Sequence, residues 1–466
     1  MSNHQYIVTE PISGDVSVGT EGDGTRVMFG KVAETGSRRS VWFGGSKEFV
    51  GLVIGKRGSG KSHSLGVLLE GLCTAAPRTS ISQHTERRAV LLLDPMGNFW
   101  TTMHKVRADG PPKVAAQFAE LRPWDLQPED INVAVWLPAG FRNENDPPNV
   151  TDFTVRMSDL HAADLADLLG LNLLRDPQGA ALDEAYAAVV EDGWTDGMTR
   201  RAANPNYRLP DLVDYLNHLA GQQQTVHSPS TLRALTRSLG ALARQPVFSG
   251  QGTPLTDLLQ PGRLGILMLP ARVGHDLRRV VTRLLIRRIL SDREHASQIN
   301  QRLLVETLAP AEKTRLEAEL ARRAPRSVVA IDEAQELLGD DGGEAREALE
   351  DFCLLGRNYG LSLLLATQRP TTAAISAKVR SQADFYVIHR LLTQDDIDLV
   401  RGNLLAVLPS EVREGQRVLG FPELVRSLGK GQAIISASHA QARDAVGRIF
   451  MVSVRPRVTV HGGESV

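Results

Sequence analysis

The sequence predicts an α/β fold with a mainly parallel central sheet, a helical insertion and a small N-terminal β-rich cap. Three observations carry that prediction. Short apolar runs rich in Val, Ile and Leu recur at Phe49 to Ile54, Ala89 to Leu93, Gly265 to Leu269, Ser327 to Ile331, Leu361 to Ala366 and Phe385 to Ile388. Strands become continuously apolar in this way when helices cover both faces of a sheet. A glycine-rich turn follows the first run and leads into a helical pattern, and a long stretch of helical periodicity separates the second run from the third.

Composition narrows the class before any motif is read. With 466 residues, 42% hydrophobic and 23% charged, the chain can bury a large core and matches soluble globular proteins. A net charge of −1 supplies no global attraction to nucleic acid, and 5% aromatics offer no base-stacking platform for single strands. Cys73 and Cys353 lie far apart in apolar contexts, which suggests neither zinc nor a disulfide framework. Met1 to Gly14 has no basic start followed by an apolar run, and stretches such as Leu363 to Ala366 are too short to span a bilayer. The expectation is a protein of the reducing cytoplasm with no membrane partner.

Taken in order, residues 1–45 alternate β-type segments (Gln5 to Thr9, Arg26 to Val32, Arg39 to Phe43) with glycine-containing turns. Residues 46–150 read as the first part of the α/β core. Residues 151–250 read as the helical insertion: Leu160, Leu165, Leu168 and Leu169 mark one helix, and Leu232, Leu235, Leu239 and Leu242 mark another entered through Ser228-Pro229. Residues 251–430 carry the rest of the core, including a highly charged helical segment, Ala309 to Arg323, read as a solvated face. Residues 431–466 return to β pattern and end in an arginine-containing arm, Arg455 to Gly463, expected either to pack on a neighbouring subunit or to fray.

The chemistry is concentrated in three places. Gly55-Lys56-Arg57-Gly58-Ser59-Gly60-Lys61-Ser62 fits G-x-x-x-x-G-K-[ST] between an apolar strand and a helical pattern, and His63 follows it. Small residues let such a loop turn its amides toward phosphates, and the next helix presents its positive end to the same anion. In this motif Lys61 reaches the β and γ phosphates of ATP, and the Ser62 hydroxyl binds Mg²⁺. Ser327 to Ile331 then runs directly into Asp332-Glu333-Ala334-Gln335. Two carboxylates ending a buried strand suit a metal hydration shell (Asp332) and an attacking water (Glu333). A helix N-terminus favouring acidic residues explains the carboxylates but not the apolar strand before them. Third come Gly356-Arg357-Asn358-Tyr359-Gly360, a strand, and Thr367-Gln368-Arg369-Pro370, with Ser381-Gln382 later. Gln368 is placed to sense the γ phosphate, and Arg357 to reach a neighbouring subunit's nucleotide. For either residue alone, an ordinary salt bridge or turn contact serves equally well.

The acidic pair, G-R-x-x-G, apolar strand, A-T-Q-R-P and S-Q, in this order and spacing, resemble the HerA/FtsK group of ring ATPases, nearest to the HerA branch. The likeness runs from the strand at Phe49 through Arg390, and the arm ending His461-Gly462-Gly463 is similar to tails of that branch. It implies a RecA-like P-loop NTPase fold, with Gly55 to His63 binding nucleotide and Ser62 and Asp332 serving Mg²⁺, largely through water. Glu333, Gln368 and Arg357 are then the catalytic residues, Arg357 acting as a finger supplied in trans. It further implies a homo-oligomer, a hexameric ring, moving on duplex DNA with a nuclease or other effector in DNA processing or antiviral defence. Departures are the roughly 45 residues where the branch carries a larger β-barrel, Phe49 where an arginine is usual (with Lys47 or Arg39 as substitutes), and Asn98 in the D-P-x-G-E-[FY] turn at Asp94. Lys105, Arg107 and Arg142 are candidate phosphate contacts, although ordinary surface charge explains each more simply. The alternative reading is a scaffold or switch ATPase that regulates an effector without processive movement. A secretion or conjugation ATPase ranks third.

Overall fold

A strand with no polar side chain on either face belongs in the interior of a sheet, and the apolar runs occupy that position. The computed structural model describes residues 6–8, 12, 14–19, 24–34, 39–222, 225–248, 251–338, 344–370, 375–409, 411–441 and 447–463. Internal contacts divide the chain into two units. One is Met1–Val135 with Leu255–Pro270 and Ile286–Val466, and the other is Trp136–Pro254 with Ala271–Leu285.

In the first unit the strands Leu264–Met268, Ala89–Asp94, Ser327–Ile331, Leu361–Thr367, Val50–Ile54 and Phe385–Ile388 lie side by side in that order, all parallel. Every residue in them is buried. The register pairs Ile331 with Leu93 and with Leu365, and Thr367 with Ile54. The loops that leave Ile54, Asp94, Ile331 and Thr367 therefore open on one edge, the carboxyl ends of the strands, where ligands bind in open α/β sheets. The helix Lys61–Leu72 follows the first of these loops, and Leu65, Val67, Leu68, Leu69 and Leu72 are buried.

Beyond Phe385–Ile388 the sheet turns antiparallel through Gln432–Ala437, Phe450–Val454, Arg26–Val32 and Ser40–Gly44. The β-rich N-terminal segment is part of this sheet. Its strands continue the core sheet, and the C-terminal strands join them to it. The C-terminal arm departs from expectation, since Arg455 to Val460 pack against their own chain. The reason is Glu70, a fully buried carboxylate on Lys61–Leu72. It accepts from Arg455 Nη1 at 3.1 Å, Arg457 Nε at 2.8 Å, the Val458 and Thr459 amides at 3.2 Å each, and the Thr459 hydroxyl. A buried carboxylate is costly unless paired and hydrogen-bonded, and this arm supplies both.

The second unit contains helices Ala162–Leu169, Pro177–Tyr186, Leu209–Gly221 and Pro229–Leu242, with a small hairpin, Trp194–Asp196 and Thr199–Arg201. Ser228 caps the last helix through the Thr231 amide at 3.1 Å, and Leu232, Leu235, Leu239 and Leu242 are all buried. The unit begins at residue 136 rather than 151 and takes back 271–285. Part of the reason is Arg283, whose Nε donates to Asp164 at 2.7 Å and Nη1 to Asp167 at 2.9 Å. The charged segment forms the helix Pro310–Leu320, in which Leu316 alone is buried.

Candidate active site

The loop after Val50–Ile54 is shaped by its glycines. Gly60 has φ +111°, a conformation that side chains rarely adopt. At Gly55 a Cβ would stand 2.5 Å from Ser59 Oγ and 2.6 Å from His389 Cβ, so only hydrogen fits. Ser59 Oγ donates to the Lys56 carbonyl at 2.7 Å, the Lys56 amide to Arg390 O at 3.1 Å, and Lys56 Nζ pairs with Asp396 at 2.8 Å. Arg57 and Gly58 are exposed at the tip. The loop thus arrives at Lys61 held on both flanks.

Lys61 is buried, and its ammonium bridges the acidic pair, 3.1 Å from Asp332 and 2.8 Å from Glu333. Burial alone would lower its pKa, but the two carboxylates outweigh that and hold it above the usual lysine value. Ser62 Oγ donates to Asp332 Oδ2 at 3.1 Å. Glu333 is held by further amide donors, Gln368 Nε2 at 2.6 Å and Gln335 Nε2 at 2.7 Å. Gln335 in turn accepts from Thr367 Oγ1 at 2.8 Å. Burial pushes the Glu333 carboxyl up, and the Lys61 charge with these donors brings it below the ordinary range. The Glu333 backbone sits at φ +45°, in the left-handed region that non-glycine residues seldom occupy at a cost of roughly 1–2 kcal/mol. Strain of this kind gathers at functional sites.

On the neighbouring strand Asp94 is fully buried and accepts from the amides of Met96 (3.1 Å), Gly97 (2.8 Å) and Phe99 (2.8 Å). Desolvation first, and then the Asp332 charge, push it up to about 7. Beneath the loop lies His389, also fully buried. Its Nδ1 donates to Gln432 O at 2.9 Å, so Nε2 accepts from Ser64 Oγ at 2.8 Å. Burial lowers its pKa to about 3, keeping the ring neutral beside Lys61. His63 donates through Nε2 to Arg455 O at 2.8 Å, and desolvation lowers it to about 4.

Lys61, Ser62, Asp332, Glu333 and Gln368 therefore meet in one cluster. Arg357 does not join it: its Nη2 donates to the Gln382 carbonyl and to Asp384 Oδ2, the latter at 2.7 Å. Phe49 stacks near Phe385 at the other end of its strand, with centroids 5.8 Å apart. Lys105 pairs with Asp130 at 2.8 Å and Arg107 with Asp109 at 3.7 Å, all well exposed, while Arg142 is exposed. Lys47 and Arg39 are exposed as well. No motif in the sequence singles out Gln335, Thr367, Ser64 or His389. Gln335 alone carried a local signal, two residues beyond Glu333. Hydroxyl and carboxylate oxygens such as those of Ser62 and Asp332 are the hard donors that would suit Mg²⁺ beside substrate phosphates and water. Their distance of 3.1 Å brings them to one point beside Lys61.

The parallel sheet and the lysine-carboxylate cluster behind a glycine loop define a P-loop ATPase. The model of the family described as helicase HerA, central domain, matches residues 51–289, slightly over half of the chain, and the chain belongs to that family. Among solved structures, VirB4 of Thermoanaerobacter pseudethanolicus is similar over 95% of this chain and 98% of its own, with TM-score 0.50 and 14% identity, a likeness of fold. The plasmid coupling protein TrwB, in complex with ADPNP, covers 96% and 98% at 13% identity and TM-score 0.47. No curated protein matches the chain.

Proposed function

We propose that this chain is the subunit of a ring-shaped DNA translocase driven by ATP hydrolysis, and that its turnover begins when a triphosphate displaces two carboxylates from Lys61. The supporting observation is the buried ammonium bridging Asp332 and Glu333 at the head of the helix Lys61–Leu72. In the proposed cycle the amides of Gly55 to His63 wrap the phosphates and Lys61 turns to the β and γ oxygens. Ser62 and Asp332 would hold Mg²⁺, which would supply positive charge to the phosphate oxygens. Withdrawal of the ammonium also changes Glu333. Burial raises its pKa and Lys61 lowers it, so losing Lys61 leaves a more basic carboxylate, still aimed by Gln335 and Gln368, to take a proton from the attacking water.

Arg357 completes the site from a neighbouring copy. It lies at Gly356–Tyr359 ahead of the strand Leu361–Thr367, half-exposed and oriented by Asp384. A guanidinium that stabilises charge only in another subunit's pocket makes hydrolysis conditional on ring closure. The substrate track is duplex DNA, contacted through its phosphates, and the effector is a nuclease or another enzyme.

The deciding experiment measures ATP turnover with and without duplex DNA, alongside native mass with ATP. Several-fold stimulation by DNA together with a mass near six chains is the expected result. Slow turnover indifferent to DNA refutes the motor and leaves a scaffold ATPase.

A further inference from the structure

The γ-phosphate machinery lies to one side of the loop. Gln368 and Asp332 leave the strands Leu361–Thr367 and Ser327–Ile331, the first and second neighbours of Val50–Ile54 in that direction. A triphosphate whose terminal phosphate rests there, under Lys61, extends its nucleoside toward the opposite flank. That flank carries Phe385–Ile388 and then Gln432–Ala437. The turn Lys430-Gly431 before the latter strand reaches the loop itself, since a Cβ on Gly60 would stand 3.3 Å from the Gly431 amide nitrogen.

The C-terminal arm closes on the same flank. His461 meets His63 edge to face, with ring centroids 5.6 Å apart. Arg457 Nη1 contacts His461 Nδ1 at 3.4 Å. A guanidinium has no acceptor, so Nδ1 accepts, and the proton of this imidazole sits on Nε2. Burial first, then Arg457, keep the ring neutral by lowering its pKa to about 3, and Lys430 is close enough to add to that effect. The His461 amide is fixed by Gln117 Oε1 at 2.9 Å, and a Cβ on Gly462 would stand 2.8 Å from Asn98 O. The arm is thereby held in place, with His461 partly exposed and Lys430 exposed.

We propose that His461 and Lys430 form a subsite for the nucleoside end of the bound triphosphate, binding its ribose hydroxyls. Both present donors at their free ends, and the ribose hydroxyls they meet are common to every nucleoside triphosphate, so the subsite does not read the base. The inference rests on the phosphate-binding role of Lys61 and extends that site to a segment about 400 residues away in sequence.

The test compares binding of ATP, GTP and inorganic tripolyphosphate, each with Mg²⁺, by calorimetry on the full chain and its His461→Ala and Lys430→Ala variants. Lys430 is exposed, so its variant reports on the subsite independently of any effect on the arm's packing. One lost hydrogen bond to ligand weakens binding about three- to tenfold. The expected result is that loss for ATP and GTP alike in both variants, with tripolyphosphate changed less than about twofold. Unchanged ATP affinity, equal loss for ATP and tripolyphosphate, or loss confined to one base overturns the subsite. A parent that binds neither ligand overturns the phosphate-loop reading and the subsite with it, a result distinct from the other three.

Discussion

Replacing Glu70 with glutamine removes one charge and almost no volume from the centre of the first unit. In the parent, Arg455 and Arg457 are fully buried around this carboxylate, and Arg455 also donates to the carbonyls of Met28 (2.8 Å) and Val67 (2.9 Å). Arg457 reaches Thr102 Oγ1 at 2.6 Å. The two guanidiniums hold Glu70 below the ordinary carboxylate range against the opposing effect of burial. In Glu70→Gln the amide oxygen still accepts, but two buried cations lose their only described ion-pair partner. Breaking a buried pair from one side costs about 3–5 kcal/mol, a large share of the 5–15 kcal/mol typical of a domain. The expected result is a Tm lower by roughly 5–10 °C in a reversible thermal scan, with the urea midpoint falling in step. A triple variant, Glu70→Leu, Arg455→Met and Arg457→Leu, should recover only the part of the loss that comes from unpaired charge, because the Val458 and Thr459 amides still lack their acceptor. A Glu70→Gln protein within about 1 kcal/mol of the parent would show that the arm is not held by this charge.

Three further outcomes are expected. Glu333→Gln should bind ATP at least as tightly as the parent and lose about 10²–10⁴ in turnover, the usual contribution of a general base; near-parental turnover would remove Glu333 from the chemistry. Arg357→Ala should leave ATP binding within about twofold while abolishing the hydrolysis that appears on ring assembly; equal activity of dilute, monomeric parent and variant would refute action in trans. His389 has its pKa depressed to about 3, so its stabilisation is present above the unfolded value near 6.5 and is lost as pH falls toward 3. From pH 7 to pH 5 it accounts for about 2 kcal/mol of lost stability, and His389→Asn should remove that part of the slope in chemical denaturation at the two pH values.

Legibility from sequence followed the distance between interacting residues. The loop at Gly55 to Ser62 and the pair Asp332-Glu333 declare themselves because each is a short contiguous segment bounded by its own strand. Gln368 was visible for the same reason, at the tip of an apolar run. Glu70 gave only a weak local cue, one carboxylate in a run of leucines and glycines, while its partners lie 385 to 389 residues downstream. His389 ends a strand whose partner to one side is Gln432–Ala437, and neither periodicity nor propensity specifies that pairing. The N-terminal strands are β-type in sequence, but their attachment runs through Phe450–Val454, a contact invisible to any local window. The left-handed backbone of Glu333 left no trace either, since the residue type itself disfavours that conformation.

The clasp on Glu70 gives biosynthesis of this molecule a definite order. At 5–20 residues per second, about 20–80 s separate the emergence of Glu70 from that of the arginines 385 and more positions later. Throughout that interval Glu70 lacks the two cations that surround it in the folded chain. A chain clipped ahead of Arg455 would have no partner for Glu70 from this segment, so the packing of the first helix depends on the last strand's extension.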